Sequence, residues 1–117
     1  MFENLNFTID QSSSKRKKIG LIVLASDYTI DHEFRKLFPL KNLDYYHARI
    51  ENSPTVTPKT LSDMKTKISS TLKLILPGDK LDVVGYACTS ASVVLGEEEI
   101  FKSIRSVQPH TKCTTPI

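Results

Sequence analysis

The run Ile19-Gly20-Leu21-Ile22-Val23-Leu24-Ala25 contains no polar side chain, and it constrains the fold more than any other segment. A strand with one wet face alternates apolar and polar residues. An unbroken run of this kind marks a strand covered on both faces. Such cover comes from helices, and helical spacing follows at once. Ile30, Phe34, Leu37 and Phe38 fall at i, i+4, i+7 and i+8, on one helical face. Thr29 is placed to cap that helix, Asp31 and Glu33 suit its first turn, and Pro39 ends it.

Leu43 to Ile50 is expected as the second strand, since Tyr45 and Tyr46 favour extended backbone. After Asn52, Ser53 and Pro54, Thr57-Pro58 is a cap-plus-proline helix start. Leu61, Met64, Ile68, Leu72 and Ile75 keep helical spacing to Pro77-Gly78, so one long helix is expected. Met64 within it fits core filler better than a cofactor contact. Leu81 to Cys88 is the third strand. Gly96 marks a break before Glu97-Glu98-Glu99, three acids that complement a helix dipole rather than form an acidic patch. Ile100, Phe101, Ile104 and Val107 give that helix its apolar face, and Thr111 to Thr114 is a short fourth strand. The order β-α-β-α-β-α-β implies the α/β class: a doubly wound, parallel, four-stranded sheet in a flavodoxin-like lobe.

In such sheets ligands bind beyond the carboxyl ends of the strands. Ser26-Asp27, Cys88-Thr89-Ser90 and Thr114-Thr115 are expected to converge on that rim. Cys88 carries most of the chemistry. It follows an apolar strand within Gly85-Tyr86-Ala87-Cys88-Thr89-Ser90-Ala91-Ser92, where small hydroxyl residues suit a turn into a helix. Unpaired N–H groups and the helix dipole favour the thiolate, the form that acts as base or nucleophile. The same N–H groups, with the hydroxyls of Thr89 and Ser90, suit a carboxylate. A buried structural cysteine is the other reading; the polar Thr89-Ser90 beside it argues for chemistry. With only four glycines, no Gly-rich phosphate loop is present.

Bulk properties exclude several classes. The chain of 117 residues is one domain, 39% hydrophobic and 25% charged, as in soluble globular proteins. No apolar stretch reaches a membrane span, and the N-terminus lacks a signal-peptide apolar region. The formal charge of +3 comes largely from Lys15-Arg16-Lys17-Lys18; without residues 1–18, which hold those four bases and two acids, the body carries +1. No basic face continues beyond that run, which speaks for a solvated tail and against nucleic-acid binding. Two cysteines and three scattered histidines give neither a disulfide framework nor metal-ligand spacing. A cytoplasmic, metal-free protein is expected.

Ile19 to Asp27 resembles the first strand and loop of the aspartate/glutamate racemase superfamily, and Tyr86 to Ser92 resembles its first catalytic-cysteine motif. With Glu33-Phe34-Arg35, Thr57-Pro58 and Thr114-Thr115-Pro116, the pattern is similar to the maleate isomerase and arylmalonate decarboxylase branch. It is closest to members found with ectoine-degradation genes. The resemblance spans about Lys18 to Ile117. It implies half of a fold with two facing lobes, each able to supply a cysteine from a strand end, and chemistry without a cofactor. Racemases of this kind use opposed thiols as bases. The isomerases add one thiolate to a double bond, which then rotates as a single bond. The decarboxylases lack the first-lobe thiol, so Cys88 points to isomerase- or racemase-type chemistry on a small (di)carboxylic or amino acid.

Carried over by residue, the resemblance makes Cys88 and Asp27 catalytic and assigns substrate binding to Ser26, Thr89, Ser90, Thr114 and Thr115. Asp27 stands where maleate isomerases usually place Asn. An ionised Asp would repel a dicarboxylate. It suits an amino-bearing substrate, or a role orienting or deprotonating Cys88 as in amino-acid racemases; a loop or cap residue is the structural alternative. The family runs to about twice this length, two lobes of ordinary domain size. Residues 1–17 are therefore expected as a tail and 18–117 as the N-terminal lobe of a truncated reading frame, inert alone. Cys113, in the same lobe's fourth strand, does not replace an opposing cysteine. A non-catalytic ligand-binding or interaction domain is one alternative. A pair of copies rebuilding the cleft is another.

Overall fold

A computed structural model describes residue 4 and residues 6–11, 15–38 and 41–117. The chain runs β1 (Lys17–Leu24), α1 (Ile30–Leu37), β2 (Leu43–Ile50), α2 (Pro58–Asp63), α3 (Lys65–Leu72), β3 (Val83–Ala87), α4 (Thr89–Leu95), α5 (Glu97–Arg105) and β4 (Lys112–Thr114). All strand pairs are parallel and the order is β2-β1-β3-β4, the doubly wound α/β sheet that the sequence implied. β1 pairs with β2 from Lys17 opposite Leu43 to Leu24 opposite Ile50. It pairs with β3 from Ile19 opposite Val83 to Val23 opposite Ala87. The chain thus leaves β1 toward one side of the sheet and returns to its other side at β3.

Alternation along the strands sorts the two faces. Ile22, Ile50, Val84, Tyr86 and Cys88 share one buried cluster with Ile68 and Leu72 of α3 and Ile100 and Ile104 of α5. Burying each such aliphatic side chain contributes about 1.5–3 kcal/mol. Helices α2 to α5 pack together over this face, α3 on α5 and α2 on α4. Helix α1 covers the opposite face alone: Phe34 stacks on Tyr45 with centroids 5.3 Å apart, and no α1 residue is buried. Gly20 interrupts the apolar run of β1 because a Cβ there would come within 2.7 Å of Leu81 Cδ1.

The structure departs from the sequence pattern at three places. First, β1 starts at Lys17, one residue inside the expected tail. Residues expected to be solvated there are held by acids: Arg16 by Asp44 at 2.8 Å, Lys17 by Asp82 at 3.4 Å and Lys18 by Asp79 at 3.0 Å. Second, the expected long helix is broken at Met64. The Thr66 hydroxyl donates to the Asp63 carbonyl at 3.0 Å, and Lys67 N–H turns to Met64 O instead. Third, the chain leaves α3 through Leu76, whose φ of 42° is the left-handed conformation, before Pro77-Gly78 is reached. Pro39, expected to end α1, and tail residues 1–3, 5 and 12–14 lie outside the described residues. Among the described residues no helix is long and apolar enough to cross a membrane.

Burial predicts which helices carry the stability. Ile104→Ala, at a fully buried site, should cost about 2–5 kcal/mol. Leu37→Ala, at a site 71% exposed, should stay within about 0.5 kcal/mol of the parent. Urea unfolding followed by circular dichroism measures both; equal losses would contradict this placement of the core.

Candidate active site

The carboxyl ends of β1 and β3 lie side by side, and the loops that leave them diverge. This is the crevice where doubly wound sheets bind ligands. Cys88 is the first residue after β3, with extended backbone (φ −140°, ψ 104°), and forms the N-cap position of α4. Its carbonyl accepts the Ser92 N–H at 3.0 Å and the Ser92 hydroxyl at 2.7 Å. The thiol makes no capping bond. Cys88 lines a pocket of about 90 Å³, whose apolar lining includes Leu24, Leu61 and Met64. Asn52, Ser53, Thr55, Thr60 and Ser90 supply the polar lining. Among the described residues no Lys, Arg, His, Asp or Glu lines it. At about 30 Å³ per water, this volume suits a carboxylate-sized group.

The loop after β2 forms the outer wall and is held rigidly. Thr57 and Thr60 make a reciprocal capping box at the start of α2: the Thr57 side chain accepts from Thr60 N–H at 3.1 Å and the Thr60 side chain from Thr57 N–H at 2.9 Å. The Thr60 hydroxyl also donates to the Thr55 carbonyl at 2.8 Å. Asn52 ties this loop to the one after β1, since its Nδ2 donates to Ser26 Oγ at 3.0 Å and its Oδ1 accepts Ser26 N–H at 3.3 Å.

Of the residues singled out by the sequence, Cys88 and Ser90 meet in this pocket. Ser26 reaches it through Asn52. Asp27 does not line it. The Asp27 carboxylate accepts the N–H groups of Thr29 and Ile30, both at 2.9 Å, and so caps α1 in place of Thr29, whose side chain makes no cap bond. These two N–H groups, Ile30 first, and then Arg49 hold its carboxyl below the usual range. Arg49 also donates to the carbonyls of Leu24, at 3.1 Å, and Asp27. Thr89 is exposed at the start of α4 and lies outside the pocket. Thr114 ends β4, and the Thr115 hydroxyl donates to the Glu97 carboxylate, so neither converges on Cys88. Cys113 sits in β4 with its thiol pKa pushed up by burial.

Asn52, Thr55 and Thr60 were not singled out by the sequence. The signal was available: Ile50 ends β2 opposite Leu24, so the polar residues after it reach the same rim. A larger groove of about 710 Å³ lies at the opposite end of the sheet, between residues 72–82 and 107–112 and away from Cys88. Among the described residues no group of three or more His, Cys, Asp or Glu side chains is arranged to hold a metal ion.

The fold is shared with solved maleate isomerases. The maleate cis-trans isomerase of Nocardia farcinica matches at 22% identity and a TM-score of 0.65, over 85% of this chain and 44% of that one. A cysteine-to-alanine variant of the Pseudomonas putida maleate isomerase, solved with maleate, matches at 24% identity and a TM-score of 0.66, over 86% of this chain and 45% of that one. A cysteine-to-serine mutant of the Nocardia enzyme carries a covalently bound succinylcysteine intermediate; it matches at 22% identity and a TM-score of 0.66, over 85% of this chain and 44% of that one. The chain spans about half the length of these structures. No protein-family model matches it, and no curated protein matches it in sequence. At these identities the likeness establishes the fold, that of one maleate isomerase lobe.

The Asp27 cap has a pH signature. Its folded pKa is depressed, so its contribution is complete above the unfolded value of about 3.9 and is lost as pH falls through the lower folded value. An acid titration followed by NMR should move the Thr29 and Ile30 amides with a midpoint below 3.8. Asp27→Asn should abolish that transition, and Asp27→Ala should cost about 1 kcal/mol of stability. A midpoint at or above the ordinary value would contradict the cap.

Proposed function

We propose that this chain forms one lobe of a cofactor-independent isomerase of the aspartate/glutamate racemase superfamily, with Cys88 as the thiolate nucleophile toward a small unsaturated dicarboxylate. One observation carries this reading. Cys88 lines a small, mostly apolar pocket that has a few hydroxyl and amide groups and, among the described residues, no charged side chain, at the point where the strand order reverses, in a fold shared with enzymes one of which was solved bearing a covalent succinylcysteine. The lack of a carboxylate in the lining favours a dianionic substrate, since Asp27, the acid expected to repel it, is bound to the start of α1.

In this scheme the hydroxyls of Ser90 and Thr55 donate to one substrate carboxylate, and Asn52 holds the wall beside them through its bonds to Ser26. The thiolate sulfur of Cys88 adds its lone pair to an alkene carbon. The alkene π pair moves onto the neighbouring carbon, where the adjacent carboxyl group delocalises it. The central bond is now single and rotates. Return of the electron pair re-forms the double bond and expels the thiolate, so nothing is consumed. Ser26 acts through Asn52, and Asp27 anchors the loop after β1, whose Ala25 and Asp27 carbonyls Arg49 binds. Thr89, Thr114 and Thr115 take no part in this step. A second lobe facing this rim would enclose the substrate.

Competition between the two thiols tests the assignment. Iodoacetamide at neutral pH, followed by peptide mass spectrometry, should label Cys88 several-fold faster than Cys113, because Cys88 lines the pocket at the end of its strand while Cys113 lies within β4. Maleate should slow labelling of Cys88 and leave Cys113 unaffected, and Cys88→Ser should remove the protectable signal without unfolding the chain. Equal rates in folded protein, with no protection, would overturn the proposal.

A further inference from the structure

The groove at the amino ends of the strands, about 710 Å³, takes no part in the chemistry proposed for Cys88. Its size falls within the roughly 300–1,000 Å³ of small-molecule pockets. Leu76 and Pro77 give it apolar surface from the loop after α3, Val107 and Pro109 from the turn before β4. The leucine and valine are half-buried and the prolines exposed, over a floor of the core residues Ile75 and Leu81. The rim is cationic. Lys73, Lys80 and Lys112 line it, all are exposed, and none has an ion-pair partner among the described residues. The two acids of the lining are already engaged. Lys18 Nζ lies 3.0 Å from Asp79. Asp82 accepts the Lys18 N–H at 2.8 Å and has Lys17 Nζ at 3.4 Å.

We propose that this groove binds a small amphiphilic carboxylate, its apolar body between Leu76 and Val107 and its anionic group among the three lysines. Charge complementarity sets the sign of the head, because the acids are paired and the lysines are not. The apolar walls set the body, since exposed lysines alone supply little affinity. Maleate has the charge without the body and is not a ligand of this groove. The walls are held in place without a ligand. Gln108 Nε2 donates to the Asp79 carbonyl at 2.8 Å, and its Oε1 accepts the Leu81 N–H at 3.2 Å. These bonds tie the loop after α3 to the turn before β4. Within that loop Leu76 holds a φ of 42°, a backbone conformation that bulky residues rarely adopt. Strain of this kind gathers where a structure serves a ligand.

The test titrates monomeric octanoate into isotopically labelled protein and follows the backbone amides. Shifts are expected at Gly78, Asp79, Lys80, His110 and Lys112, saturating together, with Cys88 to Ser90 unmoved. Acetate lacks the apolar body, and octylammonium carries the wrong charge. Each should bind at least about tenfold more weakly than octanoate. Lys80→Gln and Lys112→Gln change exposed side chains and leave the core untouched. Each should weaken octanoate roughly two- to fivefold, and added salt should weaken it in wild type. Octylammonium binding as tightly as octanoate would overturn the proposal, as would an affinity unchanged in both variants. Groove shifts that grow with protein concentration alone would assign the surface to contact between copies and overturn it. Shifts with anionic lipid vesicles but none with octanoate would overturn it in favour of a membrane surface.

Discussion

The pairing of β1 with β3 is the contact on which the rest of the molecule depends. It joins segments more than sixty residues apart, from Ile19 opposite Val83 to Val23 opposite Ala87. The crossover through α2 and α3 makes it possible, and one shared core holds it: Ile22 and Val84 from the strands, Ile68, Leu72, Ile100 and Ile104 from the helices above. Because β2 and β3 flank β1 on opposite sides, the loops after β1 and β3 must part. The gap between them is the place where Cys88 ends a strand and begins a helix. Remove the pairing, and Cys88, Leu24 and Asn52 no longer share a wall.

The two ends of the sheet are chemically unlike. At the amino ends, strand pairing gathers Arg16, Lys17 and Lys18 with Asp44, Asp79 and Asp82. On the α1 face, Asp31 takes the Tyr45 hydroxyl at 3.0 Å and approaches His47 at 3.1 Å. At the carboxyl rim the charges nearest the site are turned away from it. The Asp27 carboxylate is bound to backbone N–H groups, and the Arg49 guanidinium to loop carbonyls. The pocket at Cys88 has no charged side chain in its lining among the described residues; the lining is mostly apolar, with a few hydroxyl and amide groups. On the function proposed above, such a pocket would recognise an anion by hydrogen bonds rather than by a fixed counter-ion.

Much of the fold was legible because its signals are local and redundant. The unbroken apolar run of β1, the Thr57-Pro58 helix start and the Gly96 break each correspond to an observed element or boundary. The break at Met64 was hidden because the apolar spacing continues through it. What changes at the break is the backbone bonding, with Met64 N–H on Leu61 O and Lys67 N–H on Met64 O, which periodicity does not register. The basic run before β1 read as solvated because its partners, Asp44, Asp79 and Asp82, come from distant segments. At the site, Cys88 and Ser90 were visible in one contiguous motif. Asn52 and Thr55 were not, since their proximity to Cys88 exists only once β2 is registered against β1. Asp27 looked reactive from its place after a strand; the two N–H groups that engage it belong to the turn it forms.

The claim that these residues form one small-anion site is tested most directly by titrating maleate into isotopically labelled protein and following the backbone amides. The expected shifts map to Asn52, Thr55 and the stretch Cys88 to Ser90, and saturate together. Shifts gathered instead on Lys73, Lys80 and Lys112, which line the larger groove at the far end of the sheet, would contradict it, as would a spectrum that maleate leaves unchanged.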